Sequence, residues 1–384
     1  MRIKVCFVIL AFLFVLTGCE NGSSPMEKPD HKESYLGMGG ESMTGQISVY
    51  VGEDKLLHMY DPVQKENIVL CSKADCIHEP YDETANPDPA CDAALNRELF
   101  VTCVPVISGK YIYLFGEADL SRGVVYRENL DGSARTRLYT IDYQLGMGNS
   151  VYVENQTAYA EAKIPVVSED NLGGVGTNKS HDLILKIDLE SGGTEEISPI
   201  NEQEFQSVRF LDKKGRQFYF YFSWRVLGKE DKDYSTASEY YKIYCYDMET
   251  QKTEQIFDEV ELAGLSPVGM TDRALCVLDT KTMEAFEISL ADKQKTKVYE
   301  PSSEKVMYFV FKDRWIVGDI VAEQFSYLDQ GKLVLLPGII GFYNMMGDYV
   351  EYSLQDGSHQ AVYGDSFFTD DREVILERGE SDGT

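Results

Sequence analysis

Lysine and arginine are in short supply in this chain, 36 against 64 aspartates and glutamates, for a formal net charge of −28 over 384 residues. A surface that acidic repels phosphate backbones, which excludes nucleic acid as a partner. Histidine is scarcer still, at five, and four of them (His31, His58, His181, His359) match no ligand or triad spacing. No Gly-x-Ser-x-Gly elbow and no His-Glu-x-x-His pair is present. Carboxylates are so plentiful that no glycosidase-like pair can be singled out. No amphipathic helical period appears between Ile47 and Leu376, which argues against α/β folds. Long apolar runs are missing everywhere except at the very start.

There, Arg2 and Lys4 precede an apolar core from Val5 to Val15, closed by Leu16-Thr17-Gly18-Cys19. The run is too short for a stable membrane span. The pattern resembles a bacterial lipoprotein signal peptide over residues 1–18, cut before Cys19, which then receives lipid. It predicts a chain held outside the cytoplasm and anchored to the bacterial membrane, at the cell surface if the cell is Gram-positive. Residues 19–43 carry Asn, Gly, Ser, Pro, Lys and Glu with little apolar periodicity and read as a flexible tether. Residues 378–384 read as a disordered tail.

What fills the body is a repeat. From about Ile47, alternating strands recur, the third of each group ending in Asp or Asn before a tight turn and a Lys/Thr/Glu-bearing fourth strand. The clearest third-to-fourth hairpins turn after Met59–Asp61, Glu128–Gly132, Lys186–Glu190, Cys245–Glu249 and Glu287–Leu290, with weaker copies expected after Tyr327–Asp329 and near residues 353–357. Asp-Gly and Ser-Gly-Gly supply the positive φ that such turns need. The tyrosines, 25 in all, suit many half-exposed strands. The shortest spacing matches four-stranded propeller blades. The expectation is an all-β propeller over residues 44–377 with seven four-stranded blades, six being the runner-up and a pair of β-sandwiches the alternative architecture.

One stretch does not repeat. Cys71-Ser-Lys-Ala-Asp-Cys76-Ile-His78, with Cys91 beyond an acidic, proline-bearing run and Cys103 after that, gathers half of the eight cysteines. Three sulfurs and an imidazole suffice for tetrahedral zinc at Cys71, Cys76, His78 and Cys91. Export favours disulfides instead, and with Cys103 four nearby cysteines allow three pairings. The balance lies with disulfides over metal, with free thiols as the remaining alternative; as disulfides or as a metal site the role is to staple an insertion at 71–103. Signal peptide, lipobox, tether and this Cys-x4-Cys-x-His stretch together resemble a family of β-propeller lipoproteins from Gram-positive gut anaerobes, whose repeats are of the TolB type. The resemblance implies an extracytoplasmic propeller and carries no defined activity. The long spacer to Cys91 and the additional Cys103 depart from the family pattern.

The remaining candidates are plainer. Cys245 and Cys276 lie in alternating strands and read as small buried thiols. The glycine-rich run 173–180 lacks the Gly before Lys179 that a phosphate loop requires and reads as a loop. In 218–225, Phe218, Phe220, Phe222 and Trp224 share one face, as in a buried strand, while the end of the run, Trp224-Arg225, is a candidate contact for a sugar or peptide. In a four-stranded blade, second-to-third loops and blade-to-blade links emerge on the same face, so long inserts at 163–180 and 227–238 should share a face with the Cys/His insertion. The leading expectation is a ligand- or protein-binding module with an unknown small-molecule, glycan, peptide or protein partner. A hydrolase or lyase acting on glycans or peptides is the second reading, and a scaffold beside a membrane transport system the third.

Overall fold

In the computed structural model, the chain is described for residues 34–36, 41–44, 47–61, 66–119, 121–145, 151–165, 180–199, 207–226, 238–303, 305–344, 349–369, 372 and 374–378. The signal-peptide stretch with Cys19, the loop interiors 166–179 and 227–237, and residues 379–384 lie outside them.

Seven antiparallel blades of four consecutive strands each follow one another along the chain. Blade one runs from Glu41–Thr44 to Glu66–Val69 and blade two from Val104–Ser108 to Thr136–Ile141. Blade three spans Val151–Glu154 to Thr194–Glu196, and blade four Ser207–Lys214 to Lys252–Phe257. Blade five spans Leu265–Met270 to Lys295–Tyr299, blade six Val306–Phe311 to Lys332–Leu336, and blade seven Ile339–Asn344 to Val374–Arg378. The seven-bladed propeller is therefore the fold, and the six-bladed and sandwich alternatives fall away.

The repeating Asp has a local physical cause. At the end of the third strand, the Asp188 carboxylate accepts from the backbone N–H groups of Glu190 and Ser191. Asp247 does the same for Glu249 and Thr250. Each side chain thus mimics a turn of backbone and closes the hairpin before the fourth strand begins. Asp279 and Asp319 use the same bonds one turn earlier, after the second strand. This shared chemistry explains one misassigned copy. The turn at 353–357 joins the second strand of blade seven, Tyr349–Leu354, to the third, His359–Tyr363, and is no third-to-fourth hairpin.

The ring also begins earlier than the alternation suggests. The first strand of blade one, Glu41–Thr44, and a further strand, Ser34–Leu36, lie in the stretch expected to be tether. Ser34–Leu36 pairs antiparallel with Glu41–Thr44 on one side and with Val151–Glu154, the first strand of blade three, on the other. It therefore fuses blades one and three into a nine-stranded sheet, in contact with the first strand of blade two. Blade seven keeps to its own four consecutive strands.

Two faces follow from strand polarity. First-to-second and third-to-fourth turns lie on one, here the turn face. Second-to-third loops and blade-to-blade links lie on the other, the loop face. The inserts at 163–180 and 227–238 are second-to-third connections, in blades three and four. The Cys/His insertion is the link from blade one to blade two.

Candidate metal centre

The insertion is a packed wedge rather than an open loop. Ala93, Ala94, Leu95 and Leu99 are all buried, and they share one apolar core with Val49 and Leu57 of blade one and Ile112, Leu114 and Val124 of blade two. Blades diverge as they leave the propeller axis, and these side chains fill the space that opens between the first two. The backbone is tied on both sides. Leu57 N donates to Ala93 O at 2.9 Å, and Ala94 makes a bridge with Leu56. From blade two, the Arg135 guanidinium donates to the carbonyls of Asp92, at 2.6 Å, and Ala94. A single helical turn, Arg97–Phe100, is capped by the Asn96 side chain, which accepts from Glu98 N and Leu99 N. Its Glu98 then pairs with Arg137 at 3.0 Å and accepts from Tyr126. Gly116 is required beneath this turn, because a Cβ there would collide with the Glu98 carbonyl.

This wedge carries the cysteines. The ligand atoms of Cys71, Cys76, His78 and Cys91 all lie within 4.8 Å of one another. The Cys91 Sγ to His78 Nδ1 separation is 3.6 Å. A zinc tetrahedron with Zn–S of about 2.3 Å and Zn–N of about 2.0 Å has S···N edges of about 3.5 Å and S···S edges of about 3.8 Å. The 3.6 Å separation is close to the S···N edge of such a tetrahedron. A disulfide needs its sulfurs at about 2.05 Å, and all six described cysteines are free thiols. Cys103, grouped with the others on sequence, is not among the four. It packs against the wedge core, near Arg135 and Glu128, and burial pushes its thiol well up.

Local structure presents the donors. The 71–76 loop closes on a Cys76 N to Lys73 O bond of 3.3 Å, and the Asp92 carboxylate reaches across to Ser72 Oγ and Lys73 Nζ. That carboxylate fastens the Cys71–Cys76 loop to the segment carrying Cys91. His78 holds a left-handed backbone with φ of 54°, a conformation rare outside glycine, asparagine, aspartate and histidine. Burial opposes ionisation of Cys71, yet backbone N–H groups of Lys73 and Asp92 aimed at its sulfur bring its pKa below the ordinary thiol value. Cys91 behaves oppositely: burial pushes it up to about 12, so a metal would have to displace its proton.

A buried ion pair lies under the wedge. The Arg135 Nε to Glu128 Oε2 distance is 2.7 Å, and the Glu128 carboxyl is fully enclosed. Burial raises its pKa to about 7 despite the attraction of Arg135, and its Oε1 has no hydrogen-bond partner.

The other sequence candidates fall elsewhere. Phe218, Phe220, Phe222 and Trp224 are buried in the second strand of blade four, as the alternation predicts. Trp224 stacks on Tyr240 with a 17° interplanar angle, under the Lys242 ammonium. Arg225, on the opposite face of the strand, is half-exposed beside Glu239. Cys245 and Cys276 are buried in strands. A second charged group escaped the sequence because its members are far apart along the chain. Lys214 lies 3.0 Å from Asp313 and 3.5 Å from Asp212, and Asp313 also accepts from Asp272 N. It links blades four, five and six at the turn face. Burial raises the Asp212 carboxyl to about 6, against the pull of Lys214.

No protein-family model matches the sequence, and no curated protein is significantly similar to it. Solved structures share its shape. A prolyl endopeptidase superposes with a TM-score of 0.53 at 12% identity, over 91% of this chain and 50% of that one. The present chain thus spans about half the length of that protein. The β-propeller domain of the Trilobed protease from Pyrococcus furiosus gives 0.44 at 11% identity, over 90% and 98% of the two chains. An oligogalacturonate lyase from Vibrio parahaemolyticus gives 0.40 at 12% identity, over 70% and 75%. At these identities the likeness is one of fold.

Proposed function

We propose that the chain is an exported, lipid-anchored propeller that binds a partner through its loop face, with zinc clamping its first inter-blade insertion. The observation that carries the metal assignment is the convergence of three cysteine sulfurs and one imidazole within 4.8 Å on a wedge whose backbone is already tied to two blades. Four protein donors close a zinc tetrahedron and leave no position for water or substrate, which is the pattern of structural sites. The metal then holds the insertion rather than reacting, and binding falls to the loops of the same face. Anchoring rests on Arg2, Lys4, the apolar core and Leu16-Thr17-Gly18-Cys19. A hydrolase or lyase would find its best acid–base candidate in Asp212, but that carboxyl is next to Lys214 in an inter-blade latch whose Asp313 is already doubly bonded.

Fractionation of expressing cells tests the anchor. Wild-type chain should sediment with membranes and Cys19→Ala should move to the soluble fraction. Unchanged sedimentation of the variant would refute lipidation.

A further inference from the structure

Charge and exposed apolar surface are both distributed unevenly between the two faces. Among the described residues, the connections of the loop face hold 17 aspartates and glutamates against five lysines and arginines. Those of the turn face hold seven against seven. The acidity of the chain is thus concentrated on one side. The apolar residues gather more narrowly. Of the 13 large apolar side chains exposed among the described residues, seven fall between Met307 and Ile340, about a tenth of the chain.

Strand polarity brings most of these to one place. Met307 is the second residue of the first strand of blade six, Ile320 and Val321 lie in its second-to-third turn, and Leu335 is the last residue but one of its last strand. Ile340 opens the first strand of blade seven. All five are therefore at loop-face ends, and Ile320 N bonds to Lys305 O at 3.1 Å, which holds the turn against the start of the blade. Val321 is 68% exposed, Leu335 52% and Ile320 51%. Glu323 closes the same turn and adds to the acidic rim. Exposed apolar side chains gathered at one end of a blade, on a face whose connections are acidic, mark a docking site.

We infer that the loop face of blade six docks a basic amphipathic polypeptide. Its apolar side would cover Ile320, Val321 and Leu335, and its lysines and arginines would meet the acidic connections around them. The charge excess selects among occupants. A second copy of this chain brings the same negative face, and anionic lipid is repelled as nucleic acid is. The first strand adds a geometric reason. Ser34–Leu36 runs antiparallel to Val151–Glu154, so the chain enters it from the turn face. If Cys19 carries lipid, a point that rests on the anchoring proposed above, the tether joins the propeller at the turn face and leaves the loop face open to soluble partners.

The full chain carrying Cys19→Ala, purified without lipid, allows a direct test by fluorescence anisotropy. The probes are a labelled lysine–leucine peptide of helical amphipathic pattern, its glutamate–leucine counterpart and an oligolysine of equal length. The lysine–leucine peptide should bind, more weakly as salt rises, and at least about tenfold more tightly than oligolysine. The glutamate–leucine peptide should not bind. The triple variant I320S/V321S/L335S, with its circular dichroism unchanged, should lose about tenfold in affinity, and Glu323→Lys alone should lose about threefold. Equal binding of oligolysine, or an unaffected triple variant, would reduce the face to a diffuse electrostatic surface and overturn the inference. Binding to phosphatidylcholine vesicles, or a dimer in sedimentation velocity, would overturn it likewise if abolished by the triple variant. Failure of the anchor would leave these results standing, because the protein tested carries none.

Discussion

The seam between blades one and two and the seam between blades three and four solve the same problem with different materials. Blades splay apart with distance from the axis, and the gap must be filled. At the later seam the strands supply the filler themselves: Tyr152 and Tyr159 of blade three meet Phe210, Phe218, Phe220, Phe222 and Tyr246 of blade four in one buried aromatic cluster. At the earlier seam the filler is an inserted segment of small and aliphatic residues, Ala93, Ala94, Leu95 and Leu99, tied in by Arg135, with the cysteine–histidine cluster near its start. A strand side chain is held in place by its ladder. An inserted segment has no ladder and pays the full entropy of ordering its backbone, so it needs a cross-link that a strand does not. The cysteine–histidine cluster that could hold a metal occurs where the chain departs from the repeat.

Three substitutions test the contrast. Phe220 is fully buried and stacks on Tyr244 at 5.6 Å with an 11° interplanar angle. Phe220→Ala should cost about 3–5 kcal/mol in urea unfolding. A loss below about 1 kcal/mol would mean that the aromatic seam does not carry the stability assigned to it.

The second concerns the polar seam. Glu128 has its pKa raised by burial to about 7 in the folded protein. Its contribution to stability is therefore fully present below the ordinary glutamate value and is lost as pH rises through about 7. Over that window it amounts to up to about 3 kcal/mol. Burial raises Asp212 and Glu351 in the same direction, so the wild-type chain should weaken between mildly acidic and neutral pH. Glu128→Gln, which keeps an acceptor for Arg135, should flatten that decline, as read from urea midpoints across the range. An identical pH dependence in the variant would show that Glu128 is ionised and satisfied throughout.

The smallest effect is expected from Thr253, whose hydroxyl donates to the Ile197 carbonyl across the aromatic seam. Thr253→Val should cost about 1 kcal/mol, since one hydrogen bond is lost while the volume is kept. A loss as large as that of Phe220→Ala would assign the later seam to polar contacts and erase the distinction between the two.

Most of the ring was legible in the sequence because its signals are local. Alternation marks strands, and Asp at a strand end marks a turn through bonds to the residues two and three further on, as at Asp188 and Asp247. The alternation of 218–224 placed the buried face of blade four correctly. The same locality produced the error at 353–357, since an Asp-Gly turn looks alike after a second or a third strand. Ser34–Leu36 was missed because its partners at Tyr152 and Val153 are more than a hundred residues away. The four candidate metal donors were visible as residue types. That Cys103 stands apart, and that 93–99 folds inward to become core, depend on how the link lies between two blades. So does the Lys214–Asp313 contact, 99 residues apart in the chain. No spacing along the chain encodes these.

Metal content measures the central claim most directly. The intact chain, purified under reducing conditions without chelator, should carry one zinc ion by native mass spectrometry, and Cys91→Ser should carry none. Hydrogen exchange in that variant should rise across 71–103 while blades five to seven keep their protection. Stoichiometric absence of metal from the wild-type chain, or a mass shift on reduction that reports a disulfide among Cys71, Cys76 and Cys91, would contradict the clamp.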